Sequence, residues 1–350
     1  MERQTDPFPL AVGLVGLGSL GRRLGRQFVE LPRSELVAVS DVDPDGLEDA
    51  GEELDVPETA RYESYEEMLD AEPLDAVAVA TPNGLHYEQT SAALDRDLHV
   101  LCEKPLATDV EDAYEITERA ESSDRVVMVG YQRHFNPAYR EAREEWALGK
   151  RTPRFVTGEI THDWRSYYEE MSDWRMDPDL SGGGHLLNVG THVIDAILWT
   201  TDLTPTHVNA YVDFHDDEEV FDRQSSIIVE TAEDTVVNVS DTGVVARTRE
   251  HVHVWDEEGA VYLEGHEWDD RTGYVIDGDG TEHHPYRGYD RRLSKGTAFL
   301  DAIETGEEPP ATARDGLKAV LVTMAAYESG RRNERVALSD LYPFADDVFE

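Results

Sequence analysis

The chain of 350 residues has little cysteine, little lysine and no long apolar segment. Its single cysteine, Cys102, excludes an internal disulfide and a cysteine-based zinc site, and its composition is typical of the cytoplasm. The apolar runs are much shorter than the roughly 20 residues that a membrane-spanning helix needs. Residues 1–9 are short and polar and do not resemble a signal peptide.

Positive charge is also scarce. There are 31 Lys and Arg against 75 Asp and Glu, which gives a net charge of −44, and the acids are spread along the whole sequence. This balance disfavours nucleic acids and anionic membranes as partners. It is typical of proteins from extreme halophiles, whose charged surfaces are screened by concentrated salt.

The most informative motif that is present is a set of three glycines, Gly16, Gly18 and Gly21, between an apolar run and a helical pattern. Such a strand-to-helix turn lets the backbone approach a pyrophosphate, and the helix N-terminus attracts its charge. A second apolar run, residues 36–40, ends in Asp41, where a carboxylate would bind the adenosine ribose hydroxyls. The sequence therefore predicts NAD as cofactor, with NADP possible, bound by Gly16, Leu17, Gly18, Ser19, Leu20, Gly21 and Asp41.

Strands and helices alternate over the first 130 residues, which predicts a Rossmann domain with a doubly wound parallel sheet at 1–131. Beyond residue 150 the strand-like segments 154–162, 207–214, 225–231, 236–242 and 251–255 are joined by acidic turns, and a helix is predicted over 185–200. This pattern predicts a second α/β domain at 132–350 with a largely antiparallel sheet. Helices around 296–304 and 315–329 belong to it or pack back on the first domain.

Two polar turns follow predicted parallel strands. Thr81, Pro82 and Asn83 follow one strand, with His86 just beyond, and Glu103 and Lys104 follow the next. Ligands bind at the carboxyl ends of such strands, so we expect these residues to contact the cofactor. Lys104 could stabilise the charge that develops on a substrate oxygen during hydride transfer. The alternatives are an ordinary turn at residues 81–83 and a solvated Glu–Lys pair at 103–104.

The helix after the three glycines at 182–184 carries Asn188, His192 and Asp195 at spacings that place them on one helical face. His192 could relay a proton or be a buried structural histidine. No third ligand supports a metal site. The segment His162, Asp163 and Trp164 could form the wall of a substrate site, although core aromatics or a subunit contact would give the same pattern.

Together these motifs resemble the glucose–fructose oxidoreductase/inositol dehydrogenase/MocA family. The resemblance rests on residues 16–21, 80–86, 102–108, 130–137, 182–195 and 313–320, in the order of that family. It implies that Lys104 and His192 are catalytic, that the Lys104–Pro105 bond is cis, and that Asn188, His162, Asp163, Trp164 and Arg133 contact the substrate.

The resemblance also implies a sugar, inositol or related polyol as substrate, bound by the second domain. It implies that the open sheet of this domain assembles the chain into homodimers or homotetramers. One position departs from the commonest pattern, because many members have aspartate where this chain has Asn188. An amide cannot accept a proton as a carboxylate does.

The predicted function is an NAD(P)-dependent dehydrogenase in which Lys104 and His192, from separate domains, converge beside one nicotinamide ring. Two alternatives stay open at this point. One is an NAD-dependent glycoside hydrolase of the same fold, and the other is a non-catalytic regulator that binds the cofactor.

Overall fold

A computed structural model describes residues 9–147, 151–268, 270–287 and 294–349 of the chain; residues 1–8, the predicted polar N-terminal stretch, lie outside this description. The strands are β1 (Leu10–Val15), β2 (Ser34–Ser40), β3 (Arg61–Tyr62), β4 (Ala76–Val79), β5 (His99–Cys102), β6 (Val127–Val129), β7 (Phe155–Asp163), β8 (Pro205–Phe214), β9 (Asp222–Thr231), β10 (Val236–Thr242), β11 (Val244–Trp255), β12 (Gly259–His266), β13 (Asp270–Asp277), β14 (Glu282–Arg287) and β15 (Val336–Ala337).

The α-helices lie between these strands and at the end of the chain. They are α1 (Ser19–Glu30), α2 (Pro44–Glu53), α3 (Tyr65–Ala71), α4 (His86–Leu94), α5 (Val110–Glu121), α6 (Pro137–Trp146), α7 (Arg165–Glu170), α8 (Pro178–Ser181), α9 (Thr191–Thr201), α10 (Lys295–Thr305), α11 (Ala313–Arg332), α12 (Leu338–Leu341) and α13 (Ala345–Phe349). None of the helices in the described ranges has the length and apolar character needed to cross a membrane.

The described residues within 1–107, 114–130 and 292–313 form one compact unit. Its six-stranded sheet has the order β3-β2-β1-β4-β5-β6, and all its pairs are parallel. The strands are apolar on both faces because helices cover both sides, as in β4, whose four residues are all buried. This confirms the predicted doubly wound parallel sheet.

The described residues within 108–113, 131–291 and 314–350 form a second compact unit. Its nine-stranded sheet has the order β14-β13-β12-β11-β7-β10-β9-β8-β15, and every pair except β7–β10 is antiparallel. Helix α9 packs closely on β7, because a Cβ at Gly158 would lie 2.4 Å from Val193 and 2.7 Å from Ile197. The predicted, largely antiparallel sheet is confirmed.

Two details of the second unit differ from the sequence-based expectation. The helix predicted at 185–200 is not one regular α-helix, because residues 186–190 form a π-helical turn before α9 begins. The extra residue in that turn rotates Asn188 relative to the α-helical face that carries His192. Strands β12 to β14 were not predicted, since glycines and acidic residues interrupt their apolar alternation.

Candidate active site

The three glycines of the first motif occupy the turn between β1 and α1. Gly16 has φ +90°, and a Cβ there would lie 2.7 Å from the backbone of Ala80, so this position requires glycine. A Cβ at Gly21 would lie 1.9 Å from the Gly16 carbonyl oxygen, whereas a Cβ at Gly18 would meet no atom of the described residues within 4 Å. The turn is therefore closed towards the sheet and open at Gly18, where a phosphate could approach the backbone.

The start of α1, which includes Ser19 and Leu20, fits an anionic ligand. Its first turn contains no acidic residue, and Gly18 supplies no side-chain cap among the described residues. In a chain with 75 acids, three other helices of the same unit have acids in their first turn: Asp45 in α2, Glu66 and Glu67 in α3, and Glu88 in α4. Helix α10 shares the absence of acids with α1. The unsatisfied N–H groups and the positive dipole end of α1 thus suit the pyrophosphate of a dinucleotide.

Asp41 lies directly beside this turn, at the end of β2. Its carboxylate accepts hydrogen bonds from the Leu17 N–H at 2.6 Å and from the Asp43 N–H at 3.0 Å. The next residue, Val42, is 85% exposed, so the edge beside Asp41 is open to a ligand. The carboxylate thus lies at the carboxyl end of β2, beside the glycine turn.

The Thr81-Pro82-Asn83 turn follows β4 in the same unit. The Thr81 hydroxyl donates to Gln89 Oε1 at 2.6 Å, and Asn83 is buried. His86 is 1% exposed, with one ring nitrogen 2.6 Å from the Pro105 carbonyl oxygen and the other 3.0 Å from that of Thr81. Burial lowers the pKa of His86. His86 therefore lies beneath the two polar turns and links them.

Glu103, Lys104 and Pro105 follow β5, and the Lys104–Pro105 peptide bond is cis, which confirms the implied geometry. Glu103 is buried, and its carboxylate accepts a hydrogen bond from the Lys295 ammonium at the start of α10. Burial opposes the charge of this carboxylate, but the nearby Lys295 lowers the pKa of Glu103 below its usual value. Lys295 was not among the residues that the sequence suggested.

In the second unit, Asn188 lies in the π-helical turn and is 5% exposed. Its side-chain NH₂ group donates to Ser181 Oγ at 3.0 Å and to the carbonyl oxygens of Gly183 and Gly184 at 3.1 and 2.9 Å. Carbonyl oxygens only accept hydrogen bonds, so these contacts fix which end of the amide faces them. Asn188 thus holds the glycine loop that precedes the turn.

His192 lies in the first turn of α9 and is 6% exposed. Its ring contacts the rings of Tyr131 and Trp268 edge to face, with centroids 5.9 and 5.7 Å apart. Trp268 also contacts His162, at 5.1 Å, and packs under the Arg133 guanidinium, at 5.8 Å. The structure thus brings His192, His162 and Arg133 together around Trp268, which the sequence analysis did not single out.

A buried ion cluster supports this group of rings. Glu250 accepts hydrogen bonds from Arg133, Arg271 and the Tyr139 hydroxyl. Burial opposes the Glu250 charge, but the two guanidinium groups lower the pKa of Glu250 to about 2. Arg271 also donates to the Trp268 carbonyl oxygen at 2.6 Å, so the cluster fixes both the backbone and the ring of Trp268.

The remaining predicted residues pair with other groups. Trp164 is 2% exposed and packs edge-on against His185, as a core aromatic does. Asp163 is exposed and pairs with Arg165, which lowers the pKa of Asp163 to about 2. Asp195 does not extend the polar face of α9 towards a ligand, because it pairs with the buried His134 at 2.9 Å.

Comparison with known proteins gives the family. Residues 10–131 match the model of an oxidoreductase family with an NAD-binding Rossmann fold, and residues 138–262 match the GFO/IDH/MocA C-terminal domain. The chain belongs to the GFO/IDH/MocA oxidoreductase family. The glycine turn at Gly16 to Gly21 lies within the residues that match the NAD-binding Rossmann fold.

Individual GFO/IDH/MocA proteins are similar over most of their length. A D-xylose 1-dehydrogenase [NADP(+)] of Haloarcula marismortui is 27% identical over 79% of this chain and 78% of its own. A D-xylose 1-dehydrogenase (NADP(+)) of Haloferax volcanii is 28% identical over 93% of this chain and 99% of its own. The crystal structure of an aldose–aldose oxidoreductase from Caulobacter crescentus with glycerol has a TM-score of 0.81 at 26% identity, covering 94% of this chain and 99% of that one.

Two residues of the candidate site were not predicted from the sequence, and they differ in whether the sequence contained a signal for them. Lys295 had a usable signal, because lysine is so rare in this chain. Trp268 had none, since it lies in a turn between two unpredicted strands. No group of three metal-ligating side chains is found in the part of the chain that the structure describes.

Proposed function

We propose that this protein is an NAD-dependent dehydrogenase that moves a hydride between a secondary alcohol of a sugar, inositol or related polyol and C4 of nicotinamide. One observation carries the proposal. The adjacent strands β1, β4 and β5 end at one edge of the parallel sheet, where the chain continues into the glycine turn, the Thr81 turn and Lys104. This edge is where a doubly wound sheet binds its ligands.

A bound nicotinamide would supply the hydride acceptor for the alcohol carbon. The proton of the hydroxyl group on that carbon must also leave, and we assign the transfer of this proton to Lys104 and His192. An ammonium or imidazolium hydrogen-bonded to the substrate oxygen stabilises the alkoxide-like charge that develops during the transfer. Pro105 and His86 hold the backbone that carries Lys104.

The second unit supplies the substrate contacts in this proposal. His192 and His162 contact Trp268, a combination of polar and aromatic groups that suits a polyhydroxylated ring. Arg133 supports the Trp268 ring and Asn188 holds the glycine loop before α9, and we keep Asp163 and Trp164 as further candidates at the end of β7. Residues 1–131 are assigned to cofactor binding and residues 132–350 to substrate binding and oligomerisation.

An assay of the purified chain against a panel of cyclic sugars and inositols tests the proposal. D-Xylose, D-glucose and myo-inositol are each offered with NAD⁺ and with NADP⁺, and the absorbance of the reduced cofactor is followed. We expect oxidation of at least one compound. Release of p-nitrophenol from nitrophenyl glycosides without net cofactor reduction, or no turnover at all, would contradict the proposal.

We propose NAD rather than NADP because Asp41 would repel a 2′-phosphate. Asp41→Ser should therefore raise the ratio of kcat/KM for NADP⁺ to that for NAD⁺ by about tenfold or more, which corresponds to roughly 1.4 kcal/mol. Asp75→Ser is the matched control, since Asp75 lies next to the amino end of β1, where it accepts a hydrogen bond from the Ala11 N–H. An unchanged ratio in Asp41→Ser would refute the assignment.

We also propose a cytoplasmic, salt-adapted homodimer or homotetramer. Its net charge of −44 makes the folded state repel itself unless salt screens it, and the aromatic residues Phe155, Trp255 and Tyr262 form a group on the sheet face opposite α9. The melting temperature and activity should therefore rise between about 0.1 and 2 M KCl. Sedimentation in the same buffers should show more than one chain per particle; full stability in dilute buffer, or a monomer in all buffers, would contradict the proposal.

A further inference from the structure

Two of the four lysines in this chain are neighbours of the buried Glu103, one in the sequence and one through an ion pair. The chain uses arginine for nearly all of its 31 basic residues, yet residue 104 and residue 295 are both lysine. Lys104 directly follows Glu103 in the sequence, and the Lys295 ammonium donates to Glu103 Oε1. The two lysines thus lie next to the same charge, although 191 residues separate them along the chain.

The contact between Lys295 and Glu103 is enclosed. Glu103 is 3% exposed, and the Lys295 side chain is 14% exposed. A Cβ at Gly130 would lie 2.5 Å from Glu103 Oε2 and 3.0 Å from Lys295 Nζ. The ion pair therefore fills the space beside Gly130, and burial makes the loss of either charge costly for the other.

Lys295 is held in place independently of Glu103. It begins helix α10, whose preceding residue Ser294 caps the helix by accepting from the Thr297 N–H. The Gly296 N–H donates to Gln27 Oε1 of α1 at 3.0 Å, and Arg33 pairs with Asp301 on α10 at 2.7 Å. The backbone at Lys295 is thus anchored by contacts other than the one with Glu103.

The other oxygen of Glu103 lies beside Lys104. Glu103 Oε2 is 3.4 Å from the Lys104 backbone nitrogen, and Lys104 contributes to the electrostatic stabilisation of the Glu103 carboxylate. Without Lys295, the Lys104 ammonium would be the adjacent cation. A neighbouring carboxylate stabilises the protonated, ammonium form of a lysine. Less of the lysine is then present as the neutral amine, which is the form that takes a proton from a substrate.

We propose that Lys295 is a positioning residue that occupies the Glu103 carboxylate and so keeps Lys104 available to the substrate hydroxyl. This inference rests on the proposed function, in which Lys104 handles that proton. It explains why a compact ammonium, rather than the larger guanidinium used elsewhere in the chain, stands at residue 295 beside Gly130.

The first test is Lys295→Met, which keeps the length of the side chain and removes its charge. We expect the acidic limb of the pH profile of kcat/KM for alcohol oxidation to move up by about one to two pH units, because neutral Lys104 is then reached only at higher pH. Affinity for NAD⁺ should change less than about twofold. Lys318→Met is the matched control; Lys318 lies over the Phe349 ring in the second unit, and its loss should leave the profile unchanged.

The double variant Lys295→Met/Glu103→Gln separates this role from a merely structural one. It removes both charges of the pair, so the acidic limb should return towards its original position even if the protein melts at a lower temperature. Lys295→Arg, which keeps the positive charge, should leave the acidic limb closer to its original position than Lys295→Met does. A limb that stays unmoved in Lys295→Met, or that moves equally in Lys318→Met, would overturn the inference.

The titration of Lys104 can be measured by NMR without enzyme turnover, so the test of Lys295 can be separated from the test of the proposed function. The chain has four lysines, so labelling with [¹³Cε]lysine gives few NMR signals, and Lys104 can be assigned by substitution. The Lys104 titration midpoint should rise by about one to two pH units in Lys295→Met. A rise in a protein that oxidises no alcohol would support the electrostatic role and refute the dehydrogenase, whereas an unchanged midpoint in an active enzyme would refute the role of Lys295 alone.

Discussion

Replacing Lys104 with Met should lower kcat for alcohol oxidation by roughly a thousandfold. The variant loses both the charge that stabilises the developing alkoxide and the group that takes the proton. The glycine turn and Asp41 lie on other strands of the sheet, so the affinity for NAD⁺ should change less than about twofold. Steady-state kinetics with the best substrate of the panel and NAD⁺ titration by fluorescence measure the two quantities.

Lys318→Met provides the control for this prediction as well. It removes an ammonium from the second unit, beside Phe349, and should leave both quantities unchanged. Turnover within about tenfold of the original enzyme in Lys104→Met would show that Lys104 is not the catalytic group. An equal loss in Lys318→Met would show that the effect comes from net charge.

Replacing Asn188 with Asp should destabilise the protein and lower its activity, although many GFO/IDH/MocA members have aspartate there. The amide NH₂ group faces the carbonyl oxygens of Gly183 and Gly184, and a carboxylate in its place would meet two acceptors. We expect a loss of about 2–4 kcal/mol in unfolding free energy. Denaturant unfolding at pH 7, together with kcat, measures the effect.

The same substitution at Asn136 is a matched control in the same unit. At this position the side-chain oxygen makes the hydrogen bond: Asn136 is the N-cap of α6, and its Oδ1 accepts from the Ala138 N–H. Aspartate is an equally good N-cap, so Asn136→Asp should cost much less than Asn188→Asp. If Asn188→Asp instead raised kcat without loss of stability, the conclusion that the Asn188 amide holds the glycine loop would be wrong.

The dinucleotide half of the molecule was the part most readily predicted. Strands buried on both faces are apolar throughout, and the turn at Gly16 to Gly21 needs glycine for steric reasons, so both leave a local pattern in the sequence. The cis Lys104–Pro105 bond was implied by a resemblance, again through residues adjacent in the chain. The parallel sheet and its turns could therefore be predicted from short sequence segments and their order along the chain.

The second unit was predicted less completely because its pattern is weaker. Antiparallel strands with one open face alternate in polarity, and in β12 to β14 glycine and acidic residues obscure that alternation. The π-helical turn at Leu186–Gly190 was missed for a related reason, since it changes the helical period within five residues. The expected common face of Asn188, His192 and Asp195 then did not form.

The two-sheet architecture, the family and the candidate turns could be predicted from the order of residues, since each depends on residues close together in the chain. Contacts between distant groups became visible in the folded protein: Lys295 with Glu103, Trp268 with His192, and the Asn188 amide with two carbonyl oxygens. The physical reason is that local patterns reflect backbone geometry and burial, whereas ion pairs and ring contacts depend on how the sheets bring separate segments together.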